Sequence, residues 1–173
     1  MRLILPLLLT FFLSACVTVP SGIQPIEAFD ANRYLGTWYE IARLDHSFEK
    51  GLSHVSTEYS LRDDGGIQVK NLGFSSKEDK WNEAIGRAYF VGERDVAHLK
   101  VTFQWPFYGS YIVFQLDERY QHAYVTGNDR TTLWLLARTP QVDESIIDNF
   151  KKVAREKGFS VDDLIWVQQE AFH

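Results

Sequence analysis

Apolar and polar residues alternate in short runs over most of the chain from residue 36 to residue 139. In the clearest run, Val55, Thr57 and Tyr59 fall on one face of a strand, and polar residues fall on the other face. The sequence DDGG follows this run and is typical of the tight turn of a β-hairpin. Eight such runs, joined mostly by short connections, predict an all-β fold, an eight-stranded antiparallel up-and-down barrel.

The period of the pattern changes after the barrel. Five apolar residues then repeat at helical spacing, which predicts one amphipathic C-terminal helix over about 143–157. These residues are Ile146, Ile147, Phe150, Val153 and Ala154. A last apolar stretch predicts a short ninth strand at about 164–168. The folded domain is therefore predicted to span residues 30–173, with the barrel over about 36–139.

The N-terminus has the layout of a secretory signal, because Arg2 precedes an apolar run that is too short to span a bilayer. The sequence LSAC, which ends at Cys16, resembles a bacterial lipobox. That resemblance implies that residues 1–15 are removed and that Cys16 carries a lipid anchor; Val17 after it implies the outer membrane. The alternative is an ordinary signal peptide, but an unpaired thiol in an exported protein favours lipidation. Proline, glycine and serine predict a tether over residues 16–29.

Composition excludes several classes of function. The chain has 23 acidic and 18 basic residues, a net charge of −5 and no basic block, which argues against nucleic-acid binding. His46, His54, His98 and His122 lack the spacing of metal ligands, although His46 and His54 could meet at the mouth of the barrel, where haem or metal binding is the alternative. The sequence contains no glycine-rich phosphate loop and no G-x-S-x-G motif. We therefore expect no catalytic residue, no cofactor and no metal.

Three stretches resemble the sequence motifs of the lipocalin family. The first is NRYLGTWYEIAR, which contains Gly36 and Trp38. Arg138 in LWLLARTP resembles the third motif, and Asp117 and Tyr120 in LDERYQHAYV resemble the second with altered spacing. The similarity extends along the chain to the outer-membrane lipocalins of bacteria, a group akin to apolipoprotein D.

The resemblance implies that one end of the barrel is closed. Trp38 begins the first strand and Arg138 ends the eighth, so both belong to this end, and the resemblance implies that the guanidinium stacks over the indole. Gly36 leaves room for this packing. Asp117 and Tyr120 flank the loop between the sixth and seventh strands, which lies at the same end of an up-and-down meander.

The loops at the opposite end are then predicted to form the mouth of the barrel: 45–53, 75–80, 105–109 and 128–130. One of them carries three aromatic residues, Trp105, Phe107 and Tyr108. These residues could gate a ligand, contact lipid or form a homodimer interface, since an exposed aromatic cluster usually marks an interaction site. The alternative is a hydrophobic plug that folds back over the barrel.

Ten residues on faces predicted to point inward are candidates for contact with a ligand in the calyx. They are Glu40, Ala42, Val55, Thr57, Tyr59, Leu99, Val101, Phe103, Trp134 and Leu136. Each of them could instead fill the core, and the small residues Gly86 and Ala88 could widen the space. Glu40 could orient an amphipathic ligand, but we favour a structural ion pair or hydrogen bond near the barrel floor, because an isolated buried charge is costly.

The resemblance implies a non-enzymatic function. The expected protein is anchored by lipid to the outer membrane of a Gram-negative bacterium and faces the periplasm. It would bind fatty acids or lysophospholipids in an open calyx, for storage or transport during envelope maintenance under stress. The alternative is an envelope lipoprotein that acts as an interaction or assembly factor and has a filled barrel.

Overall fold

Nine strands and two α-helices form within residues 17–169, the part of the chain that the computed structural model describes. The first helix is α1 (Ala31–Tyr34). The strands are β1 (Gly36–Leu44), β2 (Leu52–Leu61), β3 (Ile67–Ser75), β4 (Lys80–Phe90), β5 (His98–Gln104), β6 (Phe107–Leu116), β7 (His122–Thr126), β8 (Leu133–Ala137) and β9 (Leu164–Trp166). The long helix α2 (Glu144–Glu156) and a 3-10 turn (Val161–Asp163) lie between β8 and β9. The predicted signal peptide and Cys16 lie outside the described residues.

Strands β1 to β8 pair in chain order, and β1 closes the barrel because it pairs with both β2 and β8. Trp38 is opposite Thr57 of β2, and Tyr39 is opposite Ala137 of β8. Strand β9 pairs with the far half of β1 outside the barrel. The predicted eight-stranded barrel with one C-terminal helix and a ninth strand is confirmed. Helix α2 is one residue shorter at each end than the pattern predicted, and β9 ends at Trp166.

Two hydrophobic cores lie on the two sides of the barrel wall. The inner core includes Trp38 and Tyr59 and fills the closed end of the barrel. The outer core forms where Phe150 and Ala154 of α2 pack on the outward side chains of the wall, among them Leu135. This second core explains the helical stripe in the sequence, because a helix must bury its apolar face against another element.

A β-bulge in β1 reverses the direction of its side chains. The register of β1 against β8 shifts between Glu40 and Ala42, so one extra residue interrupts the alternation. Arg43 therefore follows Glu40 on the inner side, and the two side chains form an ion pair. Ala42 and Leu44 belong to the outer core. The prediction that Ala42 lines the calyx is wrong, because it assumed an uninterrupted strand.

The segment that precedes α1 packs along the outside of the barrel instead of hanging free. Ile23 is buried in the outer core. The backbone amide of Ile26 donates to the carbonyl of Val113 at 2.9 Å, and the amide of Ala97 donates to the carbonyl of Ile26 at 2.8 Å. The proline and glycine content predicted a tether there, but the apolar residues between them attach the segment to the wall.

The meander places alternate loops at the same end of the barrel. The loops 62–66, 91–97 and 117–121 lie at the closed end, beside Trp38 and α1. The loops 45–51, 76–79, 105–106 and 127–132 lie at the other end, which is the end predicted to be the mouth. Between residues 17 and 169, no helix has both the length and the apolar character needed to cross a membrane.

Candidate functional site

Trp38 and Arg138 form the floor of the barrel. The guanidinium carbon of Arg138 lies 4.0 Å from the centroid of the Trp38 ring, which is cation–π geometry. Arg138 also donates hydrogen bonds to the carbonyls of Thr37 and Arg33, each at 2.8 Å. Gly36 has a φ of +91°, a backbone conformation that glycine adopts without strain. These contacts join the two ends of the meander and exclude water from the floor.

Asp117 and Tyr120 organise the loop beside this floor. One carboxylate oxygen of Asp117 accepts hydrogen bonds from the backbone amides of Gln121, at 2.7 Å, and of His122, at 2.6 Å. The hydroxyl of Tyr120 accepts a hydrogen bond from the backbone amide of Asp30 at 2.9 Å, so it fixes the start of α1 across the barrel end. The guanidinium of Arg33 stacks on the Tyr120 ring at 4.0 Å.

A cavity of about 340 Å³ lies between the floor and the mouth. This volume falls within the range of small-molecule sites, about 300–1,000 Å³. Eight of the ten predicted calyx residues line it: Glu40, Thr57, Tyr59, Leu99, Val101, Phe103, Trp134 and Leu136. Ala88 lines it as well, while a side-chain carbon at Gly86 would collide with the Phe103 ring. The wall contains no lysine or arginine among the described residues.

Val55 does not line this cavity. It lies beside a second groove between the loop 48–52 and the mouth ends of β3 and β4. A register shift in β2 between Ser53 and Ser56, next to the positive φ of His54, accounts for the difference. The prediction that Val55 lines the main cavity is therefore wrong.

A cluster of three tyrosines lies at the inner end of the cavity. The hydroxyl of Tyr59 donates to that of Tyr111 at 2.8 Å, and the hydroxyls of Tyr111 and Tyr34 are also 2.8 Å apart. Burial raises the pKa of all three phenols, so they stay neutral. The three hydroxyls form one hydrogen-bonded group, and Tyr59 lines the cavity beside Thr57.

A buried charge cluster lies beside the cavity between the floor and the mouth, and two of its members, Glu40 and Glu49, line the wall. Arg43 donates to Glu40 at 2.6 Å and to the carbonyls of Glu49 and Leu52 at 2.9 and 3.0 Å. The indole N–H of Trp134 donates to Glu49 at 3.0 Å. The ion pair that we favoured for Glu40 is present, and the loop 45–51 brings a second carboxylate beside it.

The two carboxyl groups of this cluster have different proton affinities. Burial, followed by the negative charge of Glu49, raises the pKa of Glu40 well above its ordinary value in spite of the nearby Arg43. Burial alone would raise the pKa of Glu49, but His46 and the indole of Trp134 lower it below its ordinary value. His46 Nε2 lies 3.0 Å from a carboxylate oxygen of Glu49, without the alignment of a hydrogen bond.

The predicted aromatic residues lie at the mouth and differ in exposure. Trp105 is 70% exposed and Phe107 is 72% exposed. Tyr108 is partly buried, and the ammonium of Lys100 lies 5.3 Å from its ring centroid. The turn is shorter than predicted because β6 already begins at Phe107. Trp105 and Phe107 do not fold back as a plug.

The cavity wall includes further residues that were not predicted, among them Tyr34, His46, Phe48, Glu49 and Tyr111. Tyr34 belongs to α1, and three of the others belong to the loop 45–51, so strand alternation could not indicate them. Tyr111 lies in a run that is apolar on both faces, which hides the side that points inward. The best available signal was the position of the loop 45–51 at the mouth.

No metal site forms among the histidines between residues 17 and 169. His46 contacts Glu49 and Trp134, whereas the ring of His54 packs against Phe74 and Trp81. No group of three or more potential metal ligands occurs between residues 17 and 169. The site combines an apolar wall with two polar patches, an arrangement that suits the binding of a ligand.

Comparison with known proteins agrees with this geometry. A family model described as a lipocalin-like domain matches residues 29–169. The outer membrane lipoprotein Blc of Vibrio cholerae is 50% identical over 171 residues, which cover 98% of this chain and 100% of that protein. Bovine apolipoprotein D is 29% identical over 151 residues, which cover 83% of this chain and 78% of that protein.

A solved structure with the same fold is insecticyanin from the tobacco hornworm Manduca sexta, with a TM-score of 0.69. It is 16% identical over 87% of this chain and 86% of that chain, so it supports the fold alone. The relatives at 50% identity come from Gram-negative bacteria and assign this chain to the outer membrane as a lipid-anchored protein. Lipocalins bind and carry ligands, and the chain is not an enzyme. It belongs to the lipocalin family.

Proposed function

We propose that the cavity binds one single-chain amphipathic lipid, either a fatty acid or a lysophospholipid, and that the protein stores or carries it in envelope maintenance under stress. The observation that carries this proposal is the apolar cavity of about 340 Å³, which is lined by Leu99, Val101, Phe103 and Leu136. An acyl chain against this wall gains about 25 cal/mol for each Å² of apolar surface removed from water.

The two polar patches support an amphipathic ligand rather than a hydrocarbon. The tyrosine cluster supplies phenolic hydroxyl groups at the inner end. Glu49 and Trp134 supply polar groups nearer the mouth, where a head group would remain in contact with water. The alternative function as an assembly factor required a filled barrel, and the cavity argues against it.

The first experiment is mass spectrometry of lipid extracted from the purified protein, followed by titration with palmitate and palmitoyl-lysophosphatidylethanolamine. We expect co-purifying lipid and saturable binding of at least one of the two probes. An empty protein that binds neither probe would refute the proposal.

A matched pair of variants on β4 locates the binding. Ala88 lines the cavity, whereas Ile85 is exposed on the outer face of the same strand. Ala88→Phe should fill the cavity and weaken binding at least about tenfold. Ile85→Phe should leave affinity unchanged. If both variants have the circular dichroism spectrum of the native protein and bind the ligand with equal affinity, the ligand binds outside this cavity.

A further inference from the structure

The described chain begins at the mouth of the barrel, not at its floor. The hydroxyl of Thr18 donates to the carbonyl of Asn128 at 3.2 Å, and the hydroxyl of Ser110 donates to the carbonyl of Thr18 at 2.9 Å. Ser110 and Asn128 both line the cavity. The first described residues are therefore attached to the rim through which a ligand would enter.

The next residues are fixed to the barrel wall. Arg130 donates to the carbonyl of Ser21, and Lys157 donates to the carbonyl of Gly22 at 3.2 Å. Ile23 is 5% exposed and packs in the outer core. The segment from Thr18 onward therefore has little freedom to change the distance between the barrel and an anchor that precedes it.

Chain length then limits where the anchor can lie. Cys16 is outside the described residues, but two residues reach at most about 7 Å from Thr18 when fully extended. Thr18 is bonded to Ser110, the fourth of the ten residues of β6, so the floor end of that strand lies about 20 Å farther along it. A lipid on Cys16 can reach a membrane beside the mouth but not one beside the floor.

The exposed aromatic residues are distributed in agreement with this limit. Four of the five exposed large aromatic residues between residues 17 and 169 lie at or next to the mouth loops: Phe48 at 47%, Trp81 at 47%, Trp105 at 70% and Phe107 at 72% exposure. The fifth, Trp166, lies in β9 on the outer wall, opposite Ala42 of β1. The large hydrophobic residues exposed near the closed end are Leu61 and Val91, and neither is aromatic. Tryptophan favours the interface between membrane and water, because its ring is apolar and its N–H is polar.

We propose that the open rim of the barrel docks on the phospholipid leaflet that holds the anchor, with the mouth toward the bilayer and the floor toward the periplasm. The rim consists of the loops 45–51, 76–79, 105–106 and 127–132 and the aromatic residues beside them. A lipid could then pass between the leaflet and the cavity without crossing water. The orientation follows from the N-terminal segment and does not depend on which ligand the cavity holds.

The test uses the full lipoprotein in vesicles of phosphatidylethanolamine and phosphatidylglycerol whose acyl chains carry bromine. The native chain has one cysteine, so a fluorophore can be attached to a single introduced thiol once Cys16 is acylated. Lys50→Cys places the label at the mouth, and Asp63→Cys places a matched label in the turn at the closed end. We expect strong quenching at position 50 and little at position 63. Equal quenching, or stronger quenching at position 63, would overturn the proposal.

Two further variants test separately the two features that determine the orientation, the short N-terminal segment and the aromatic residues at the rim. A ten-residue glycine–serine insertion after Cys16 should reduce quenching at position 50 severalfold, because the fixed segment then no longer determines the distance. Trp105→Ser combined with Phe107→Ser should reduce quenching at position 50 as well, whereas Leu61→Ser should not.

A homodimer that covers the rim would give a different result. If position 50 cross-links to position 50 of another copy and is not quenched, the proposal is wrong. Each readout is independent of ligand binding, so an empty cavity would not affect it.

Discussion

Glu40 and Glu49 show how a single buried residue can link protonation to stability. The raised pKa of Glu40 means that the folded protein binds a proton there which the unfolded chain releases. This contribution to the free energy of unfolding decreases as pH rises from the ordinary pKa of a glutamic acid to the raised one. Glu49 has a lowered pKa, so its contribution is present above the ordinary pKa and is lost as pH falls through the lowered value.

Glu40→Gln should flatten the decline of stability with pH. The amide keeps an oxygen that can accept the hydrogen bond from Arg43, but it cannot ionise. We expect the free energy of unfolding, measured with urea from about pH 5 to about pH 9, to fall less with pH in the variant than in the native protein. Parallel curves for the two proteins would contradict the raised pKa of Glu40.

The control is a substitution at the same position that removes the side-chain oxygen to which Arg43 donates. Glu40→Leu leaves the buried guanidinium of Arg43 with only carbonyl acceptors and should cost about 3–5 kcal/mol of stability, because a buried charge loses its partner. A loss below about 1 kcal/mol would mean that the ion pair contributes little to the fold.

At the scale of elements, helix α2 covers one side of the barrel wall. Phe150 is fully buried and its ring meets that of Tyr124 edge-on at 5.0 Å, whereas Lys152 on the same helix is exposed. Phe150→Ala should lower the free energy of unfolding by about 3–5 kcal/mol. Lys152→Ala should change it by less than about 0.5 kcal/mol. Urea denaturation compares the two variants, and a small loss for Phe150→Ala would mean that the helix is not part of the cooperative unit.

The elements themselves were predictable because each buries one face. Alternation indicated the strands, and a helical stripe indicated α2. The bulge in β1 was not predictable, because both Ile41 and Ala42 are apolar and either could face the interior. The N-terminal segment was mistaken for a linker because its prolines and glycines outweighed Ile23 and Phe29 in the pattern. The loop 45–51, which carries Glu49, has no periodic pattern of apolar and polar residues. The sequence therefore did not indicate that this loop enters the cavity.

At the scale of the whole molecule, the lipid on Cys16 is expected to hold the protein at the membrane. The native leader should be exchanged for a cleavable secretory signal in a Cys16→Ala variant, so that an uncleaved leader does not act as an anchor. We expect this variant in the soluble periplasmic fraction and the native protein in the outer-membrane fraction. Membrane association that survives the change would show that Cys16 is not the anchor.

The closed end was implied by the resemblance to lipocalins, which places Arg138 over Trp38, and meander topology then assigned every loop to that end or to the mouth. The dimensions of the cavity were not, since they depend on how far Tyr34, Tyr111 and the loop 45–51 enter the barrel. Side-chain packing of this kind is determined by contacts between residues that are distant in sequence.

The attachment of Thr18 beside Asn128 has a practical consequence for anyone who handles a soluble form of the protein. A purification tag, a fluorescent protein or a solid support joined to the amino end would sit at the entrance and could obstruct it. Binding constants measured with such a fusion would partly describe the fusion partner. The turn at 62–66, at the opposite end of the barrel, is the better place for a label or a surface attachment.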